Sequence, residues 1–274
     1  MTAQPRRRGA IALHPSLFNS SLDKGLRVLL AFDGGRPTLG LTEIAQLTGL
    51  DKSAAQRFTA TLTTLGYLKK DPVTRHYALS PKILHLGSTY LRSSTLVERA
   101  TPYLLECRKR YAETVNLAEL DGADLIIIAR FRGDHVVSPN VVIGSKFPWY
   151  VASGGQTIAA FLPDRELSSL LRETRFHRYA SQTITNVDDL KRRLAQIRKD
   201  GFVLTNHESF DGDISLAAPV FGSASSVVAA VGMAVVGTQW SVSEARKRLI
   251  PAVVELARSV SAISQVTRAR DGRP

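Results

Sequence analysis

The stretch "TEIAQLTGLDKSAAQRFTATLTTLGYL", from Thr42 to Leu68, contains two short helical patterns with almost nothing between them. Thr42 is a good N-cap for the first helix, and Gly49 stands where a left-handed residue ends a helix. Asp51 can then cap the second helix at once. Two short helices joined by so tight a turn predict a helix-turn-helix unit.

The second helix of this unit has two sides of different character. Apolar residues recur at steps of three or four, which predicts that this side faces the core: Ala54, Ala55, Phe58, Leu62 and Leu65. The first helix has its apolar side at Ile44, Ala45 and Leu47. The opposite side of the second helix carries Lys52, Ser53, Gln56, Arg57 and Ala60. From Lys52 to Gly66 there is no acidic residue, whereas a solvated helix face usually carries Glu and Lys pairs. The missing acids favour a surface that meets phosphate.

The flanking segments complete a winged helix-turn-helix over residues 20–80. Before the unit, a helical pattern begins at Ser20, with apolar residues at three- and four-residue steps: Leu22, Leu26, Leu29, Leu30 and Phe32. After it, "YLKKDPVTRHYALS" is typical of a β-hairpin with a basic tip. Four residues make this wing basic: Lys69, Lys70, Arg75 and His76.

This arrangement predicts contacts with double-stranded DNA. The helix N-terminus, Lys52 and Ser53 can meet a phosphate, and Thr42 at the start of the first helix is also expected to contact DNA. Gln56 can pair with an adenine edge and Arg57 with a guanine edge in the major groove. The wing would follow the backbone or the minor groove, through Lys69, Lys70 and Arg75.

The charge distribution agrees with a polyanionic partner. The chain of 274 residues has a formal net charge of +12. Residues 1–96 contain 13 Lys and Arg against 5 Asp and Glu, whereas residues 97–274 contain 23 against 19. We interpret residues 1–19, with Arg6, Arg7 and Arg8, as a flexible basic arm; the alternative is a solvated tail without a role.

Composition excludes several classes of protein. No stretch approaches the roughly 20 apolar residues of a membrane span, so no membrane partner is expected. The first 12 residues lack the pattern of a secretory signal, which favours a cytoplasmic protein. Cys107 is the only cysteine, so an intramolecular disulfide and a structural zinc site are excluded. We expect Cys107 in the core or at an interface.

The remaining chain predicts a linker and a second domain. Ser80 and Pro81 are typical of a helix start, and the helix over residues 81–96 is apolar enough to pack on a second subunit or on its own chain. Residues 97–268 contain, in chain order, three strands, several helices, three strands and a closing helix. This order predicts an α+β domain around a largely antiparallel sheet.

Six successive segments resemble one family, the IclR-type bacterial transcriptional regulators: "SLDKGLRVLLAF", "GLTEIAQLTGLDKSAAQRFTATLTTLGYL", "TRHYALSPKILHLGSTYL", "ETVNLAELDGADLIIIAR", "GSKFPWYVASGGQTIAAFL" and "RKDGFVLTNHESFDGDISLAAPV". The resemblance covers about residues 20–266. It implies a winged helix-turn-helix, a linker helix and a GAF-like effector domain, in a homodimer or homotetramer on operator DNA. It also implies a small organic acid or aromatic metabolite as effector, no cofactor, and control of a catabolic operon.

The same resemblance implies an effector pocket formed by ten residues: Trp149, Tyr150, Ser153, Gly154, Thr205, Phe210, Asp213, Ser215, Gly232 and Ala234. Ser153 and Gly154 would offer backbone N–H groups to an acidic head group. Gly232 and Ala234 stand where family members that take small keto acids place serines. This departure favours a larger, partly apolar ligand such as an aromatic acid or its amide-like derivative. The alternative for each aromatic residue is a place in the core.

Two other functions are weighed against this one. An enzyme would need a chemical constellation, but the six histidines lack metal-ligand spacing, and no GxSxG, Walker or dinucleotide motif is present. His207 and Glu208 are adjacent, but on a strand they would point to opposite faces. We therefore expect no catalytic and no metal-binding residues. The other alternative is a DNA-binding protein whose C-terminal domain only oligomerises.

Overall fold

The structure, a computed structural model, describes residues 17–134 and 141–271, and the side chains of all of these except 224 and 263–271. Most of the predicted basic arm therefore lies outside the described residues, as do His14 and His135. The chain divides into two compact units, one ending at Ser93 and the other beginning at Ser94.

The N-terminal unit is a winged helix-turn-helix, as predicted. Its elements are α1 (Ser20–Leu30), β1 (Thr38–Leu39), α2 (Leu41–Thr48), α3 (Lys52–Thr64), β2 (Leu68–Lys70), β3 (Tyr77–Leu79) and α4 (Ile83–Ser93). The three strands form an antiparallel sheet in the order β1-β3-β2. Its core consists of Val28, Phe32, Leu39, Ile44, Ala45, Ala55, Leu62, Leu68 and Tyr77.

Helix ends in this unit follow local capping chemistry. Gly49 ends α2 with a φ of 67°, and the Asp51 carboxylate accepts a hydrogen bond from the Ala54 amide at the start of α3. Thr42 is not the N-cap of α2. Gly40 takes that position, because Glu43 Oε2 accepts from the Gly40 amide at 2.7 Å, and Thr42 lies exposed in the first turn.

The predicted apolar faces of α2 and α3 need two corrections. Leu47 and Leu65 are exposed, whereas Thr48 and Thr59 are buried. The two threonines can be buried because their hydroxyls donate to carbonyls of their own helices, Thr48 to Ile44 and Thr59 to Ala55.

Two further features of the unit differ from expectation: the buried face of α1 and the start of α4. On α1, three of the predicted apolar residues, Leu22, Leu26 and Leu30, are exposed, and Val28 is fully buried instead. Helix α4 begins at Ile83 rather than at Pro81, because residues 80–84 first make a tighter turn in which the Ile83 amide donates to the Ser80 carbonyl.

The C-terminal unit is the predicted α+β domain. Its elements are α5 (Thr95–Tyr111), β4 (Thr114–Asp121), β5 (Asp124–Phe131), β6 (Lys146–Pro148), α6 (Ser153–Ala160), α7 (Asp164–Glu173), α8 (Val187–Asp200), β7 (Val203–Asn206), β8 (Asp213–Phe221), β9 (Val227–Val236) and α9 (Val242–Asp271). Its six strands form one sheet in the order β6-β5-β4-β9-β8-β7, and every neighbouring pair is antiparallel.

Helices cover both faces of this sheet. Helix α6 contacts β8 and β9 and carries α8 on its outer side, while α9 also contacts β8 and packs against α5. Strand β8 is accordingly buried at consecutive positions, which is typical of a strand covered on both faces. Cys107 is buried on α5, and burial raises the pKa of its thiol to about 11. Over the described part of the chain, no helix is both long and apolar enough to cross a membrane.

Candidate DNA-binding surface and effector cavity

The outward face of α3 carries the predicted base-reading residues. Lys52, Ser53, Gln56 and Arg57 are all exposed, and Ala55 behind them is fully buried. Side chains three and four positions apart share a helix face, so Ser53, Gln56 and Arg57 lie close together. The helix therefore presents amide, guanidinium and hydroxyl groups, with no carboxylate between Lys52 and Thr64.

The N-terminus of α3 is less open to phosphate than expected. The Asp51 carboxylate already accepts from the Ala54 amide at 2.8 Å. This acid is exposed and carries a negative charge at the helix start. The Lys52 and Ser53 side chains must therefore make most of any phosphate contact at this end.

The wing is an ordered loop with a basic surface. Asp71 accepts hydrogen bonds from the amides of Thr74 at 2.7 Å and Val73 at 2.9 Å, and these bonds hold the pKa of its carboxyl below the ordinary value. Arg75 at the tip has a left-handed backbone with a φ of 64°. Lys69, Lys70 and Arg75 are all exposed.

Side-chain contacts between neighbouring helices support this surface. The Arg27 guanidinium donates to the Thr48 carbonyl at 3.0 Å and pairs with Asp23 at 3.1 Å, which fixes the end of α2 against α1. Lys82 donates to the Leu65 carbonyl at 2.8 Å and so ties the start of α4 to the end of α3. These contacts connect α2 to α1 and the end of α3 to the start of α4.

A cavity lies in the C-terminal unit, between one face of the sheet and the segments that lead into α6 and β8. Its lining consists of Asn116, Ala118, Leu125, Ile127, Arg130, Val141, Phe147, Ala152, Ser153, Gly154, Ser209, Phe210, Asp213, Ser215, Leu216, Ala230, Gly232, Met233 and Ala234. Its volume is about 80 Å³. Since one water needs roughly 10–15 Å³ of such space, a small organic molecule can be accommodated.

Strand register explains why these residues share one face. Arg130 on β5, Asn116 on β4 and Gly232 on β9 lie in one row across three neighbouring strands. Ser215 on β8 lies opposite Ala234 on β9, one step further along the same face. Because side chains alternate along a strand, residues two apart point the same way.

Small residues make room for the cavity. Ala118, Ala230, Gly232 and Ala234 form the floor on β4 and β9. At Gly232 an added Cβ would lie 2.8 Å from the Leu216 carbonyl oxygen, so a side chain there would push neighbouring strands apart. The glycine is therefore required by the sheet itself.

The start of α6 borders the same space. Ser153 and Gly154 line the cavity, and Ala152 caps the helix without a side-chain hydrogen bond. At Gly155 an added Cβ would lie 2.3 Å from the Trp149 carbonyl oxygen. Only glycine lets α6 begin this close to the preceding turn, and its positive helix end is thereby brought to the cavity.

Among the described lining residues, only Arg130 and Asp213 are ionisable. Arg130 Nη1 donates to Asn116 Oδ1 at 2.9 Å, and burial lowers the pKa of the guanidinium. Asp213 accepts from the Ser215 hydroxyl at 2.9 and 3.0 Å. Burial raises the pKa of Asp213 to about 6.

The segment 207–212 supplies one wall, and a buried network holds it. Gln156 Nε2 donates to Glu208 Oε2 at 2.8 Å and to the Tyr150 carbonyl at 2.9 Å. Arg193 on α8 pairs with Glu208 Oε1 at 3.0 Å. The next residue, Ser209, donates to the Val151 carbonyl at 3.1 Å. Glu208 thus joins the wall to both α6 and α8.

The prediction for His207 and Glu208 was wrong about their backbone. Strand β7 ends at Asn206, and His207 has a left-handed φ of 53°, with its Nδ1 accepting from the Gly212 amide. Alternation along a strand therefore does not apply to this pair. No group of three or more His, Cys, Asp and Glu suited to a metal occurs among the described residues.

The structure brings seven of the ten predicted effector residues to the cavity and leaves three away from it. The seven are Ser153, Gly154, Phe210, Asp213, Ser215, Gly232 and Ala234. Trp149 and Tyr150 are buried in the core instead, where Trp149 donates to Thr174 at 2.8 Å and Tyr150 accepts from the His177 amide at 2.7 Å. Thr205 lies on the edge strand β7 and donates to the Ser215 carbonyl.

Sequence reasoning missed the Arg130 and Asn116 pair. Both residues occur in otherwise apolar strands, "TVNLAEL" and "DLIIIAR". The available signal was that each of the two apolar strands of this hairpin contains one such polar residue. It also missed Phe147, whose ring meets Phe210 edge to face at 6.0 Å between centroids.

Family models match both units of the chain. The model described as the C-terminal domain of the bacterial transcriptional regulator IclR matches residues 88–262, and the IclR helix-turn-helix domain matches residues 21–72.

Individual relatives agree with these matches. The Pca regulon regulatory protein of Pseudomonas putida is 30% identical over 244 residues, which cover 89% of this chain and 83% of that protein. The HTH-type transcriptional regulator BhcR of Paracoccus denitrificans is 32% identical over 262 residues, 94% of this chain and 92% of that protein. The crystal structure of an IclR transcriptional regulator from Alicyclobacillus acidocaldarius has a TM-score of 0.77 at 25% identity, covering 90% of this chain and 99% of that one. The chain belongs to the IclR family of bacterial transcriptional regulators.

Proposed function

We propose that this protein is a cytoplasmic transcriptional regulator whose affinity for the operator of a catabolic operon is controlled by a small organic acid or aromatic metabolite. The observation that carries the proposal is the pairing, on one chain, of an exposed acid-free helix face with a cavity whose lining contains one guanidinium and one carboxyl. An effector would bind in the cavity, and operator DNA would bind at α3 and the wing.

On the DNA side, the predicted residues divide into a base-reading group and a phosphate-contacting group. Gln56 and Arg57 read base edges in the major groove, and Lys52, Ser53 and Thr42 contact phosphates. Three residues of the wing complete the DNA-binding surface: Lys69, Lys70 and Arg75. The exposure of all these side chains supports the assignment.

On the effector side, the lining favours a partly apolar acid. Leu125, Ile127, Phe147 and Phe210 supply apolar surface, while the amides at the start of α6 and Arg130 favour an anionic group. Similarity to a regulator of the Pca regulon also supports a catabolic role. Trp149, Tyr150 and Thr205 would act as supports in the core rather than as ligand contacts.

The mechanism that we propose is a shift in population between two arrangements of a homodimer or homotetramer. The effector would favour one arrangement of the C-terminal domains, and the linker residues 81–96 would change the spacing of the two α3 helices. Any preference of the effector for one arrangement sets an upper limit on the change in DNA affinity.

The test measures DNA binding and ligand binding on the full chain. Labelled DNA from the region flanking the gene is titrated with protein, with and without a panel of catabolic acids, and thermal unfolding is followed with the same acids. We expect one acid to raise the melting temperature and to change operator affinity by fivefold or more. Stabilisation without any change in operator affinity would contradict the proposal, and so would the absence of both effects, which would favour a C-terminal domain that only oligomerises.

A further inference from the structure

We infer that a groove between α7 and α8, on the surface of the C-terminal unit, is a docking site for an acidic amphipathic helix of a partner protein. The groove is lined by the last residue of α6, one leucine of α7 and five residues of α8. Its volume is about 400 Å³, against about 80 Å³ for the cavity described above. This site goes beyond the proposed function, since it requires neither an effector nor operator DNA.

The floor of the groove is apolar. Ala160 and Leu194 are buried, Leu167 on α7 is half-buried, and Ala195 is exposed at the middle of the α8 side. Helix α8 packs closely on α6 but has few contacts with α7, so the space between α7 and α8 stays open. An apolar groove between two helices can receive the apolar side chains of a third helix.

The residues of α8 that line the groove form one stripe along the helix. They are spaced at steps of three and four, which places them on one face: Lys191, Leu194, Ala195, Arg198 and Lys199. At about 1.5 Å per residue, Lys191 and Lys199 are about 12 Å apart along the helix axis. The apolar middle of the groove therefore has a lysine at each end.

Arg198 is part of the groove wall, and its guanidinium is already bonded. Its Nε donates to the Ala160 carbonyl at 2.6 Å, and its Nη2 donates to the Leu162 carbonyl at 3.2 Å. Its Nη1 lies 3.8 Å from a carboxylate oxygen of Asp164. The guanidinium thus compensates the negative carboxyl end of α6 and adds little charge for a partner.

Lys191 and Lys199, by contrast, keep their full charge. Both are exposed, and within the part of the chain that the structure describes neither makes an ion pair or a hydrogen bond. The acids of α8 are engaged elsewhere. Asp189 pairs with an arginine of the same helix, Asp200 accepts from a glutamine, and Asp188 lies at the positive start of the helix. The groove therefore favours a partner that brings its own acids.

The pattern of charge and apolar surface matches a helix with acids on one face. Because the backbone groups of α7 and α8 are paired within each helix, the groove offers no strand edge to an extended segment. Two acids seven or eight positions apart on a helix are about 10.5–12 Å apart, which is the separation of Lys191 and Lys199. Leucines midway between the acids would then cover Leu194 and Ala195. A nucleic acid would neutralise the lysines but would leave the apolar floor uncovered.

Three synthetic peptides test the site by fluorescence anisotropy with the full chain. The acidic probe is a labelled peptide of alanine and glutamine, about 18 residues long so that it can form a helix. It carries two glutamates seven positions apart and two leucines midway between them. One control peptide has lysines in place of the glutamates, and the other has alanines in place of the leucines. We expect the acidic probe to bind with a Kd of about 100 µM or lower, and each control at least about tenfold more weakly.

Substitutions assign the binding to the groove. Lys191→Glu combined with Lys199→Glu should weaken binding of the acidic probe by about tenfold and strengthen binding of the lysine peptide, because the charges are exchanged. A gain of binding cannot result from a loss of folded protein. Ala195→Gln adds an uncharged side chain of good helix propensity at the middle of the groove, and it should weaken the acidic probe by about fivefold. Lys109→Glu on α5 is the matched control, since it reverses an exposed lysine outside the groove and should leave the affinity for the acidic probe unchanged.

Docking of an acidic helix is excluded if the acidic probe does not bind, or if the alanine control binds as tightly as the probe. It is also excluded if the double lysine variant loses as much affinity for random-sequence duplex DNA as for the probe, because the lysines would then bind nucleic acid. A third contrary result is sedimentation showing that the same variant dissociates an oligomer of the wild-type protein, because a second copy would then fill the groove. None of these measurements uses an effector or an operator, so the docking site and the proposed regulation can fail independently.

Discussion

The two functional surfaces of this chain recognise charge in opposite ways. The face of α3 and the wing carry five exposed cations, Lys52, Arg57, Lys69, Lys70 and Arg75. The cavity has one guanidinium and one carboxyl, both shielded by apolar residues. In water the interaction between unit charges is weak, and it strengthens as water is excluded.

This difference has consequences for substitution. On the DNA surface many similar contacts contribute to the affinity for DNA, so the loss of one cation lowers that affinity only modestly. In the cavity each polar group has few partners and no substitute, so one change alters stability or selectivity strongly. The four predictions below test this contrast, from the largest expected effect to the smallest.

Removing the carboxylate of Glu208 should have the largest effect on stability. Glu208→Ala removes the buried carboxylate that accepts hydrogen bonds from both Gln156 and Arg193. We therefore expect the free energy of unfolding to fall by about 3 kcal/mol. Chemical denaturation measures it. As a matched control, Asp164→Ala removes an acid whose side chain is 92% exposed, and this should cost well under 1 kcal/mol. Similar losses in the two variants would contradict the contrast.

The carboxyl of Asp213 should make stability depend on pH. Burial raises its pKa in the folded protein to about 6, so the folded state holds the proton more tightly than the unfolded chain. Stability from this group is therefore present below about pH 4 and is lost as pH rises through about 6.

Asp213→Asn removes this dependence. Measured by denaturation at pH 4, 6 and 8, the variant should gain about 2 kcal/mol relative to wild-type protein between the lowest and highest pH. His207 and Glu208 also act on Asp213, and the same series on His207→Gln gives the share of His207. A difference between variant and wild type that is independent of pH would contradict the assignment.

At the DNA surface, Arg57→Ala should reduce discrimination rather than binding as such. Loss of a bidentate contact to guanine costs about 1–3 kcal/mol on the operator and much less on random DNA. Fluorescence anisotropy with both DNAs gives the ratio. An unchanged ratio would show that Arg57 contacts only the backbone.

The smallest effect is expected from Lys70 on the wing. Lys70→Ala should weaken binding to operator and random DNA by about the same factor, and the slope of affinity against salt should become shallower by about one. Titrations at several salt concentrations measure the slope. Selective loss of operator binding would place Lys70 at a base instead.

The sequence predicted most of the architecture because the decisive signals are local. The two short helices, the Gly49 end of α2 and the order of strands and helices all follow from spacing and capping. Errors arose where a polar side chain made its hydrogen bond within its own helix. Thr48 and Thr59 are polar by type, but their hydroxyls bond to their own helices and can be buried.

The cavity proposed to bind the effector was harder to predict because it depends on distant pairings. Arg130 reaches the cavity floor only through the register of β5, β4 and β9, which includes a bulge between Leu117 and Ala118. Trp149 and Tyr150 belong to the segment that was expected to line the pocket, but the turn before α6 directs them into the core. Neither outcome follows from spacing along the chain.

The floor of the cavity suggests how ligand preference could change over evolutionary time. Ala118, Ala230 and Ala234 line the cavity with single methyl groups, whereas Gly232 is held by the Leu216 carbonyl. Descendants of this gene could therefore acquire response to a neighbouring metabolite in single-nucleotide steps at the three alanines, while the strand pairing and the exposed face of α3 remain as they are.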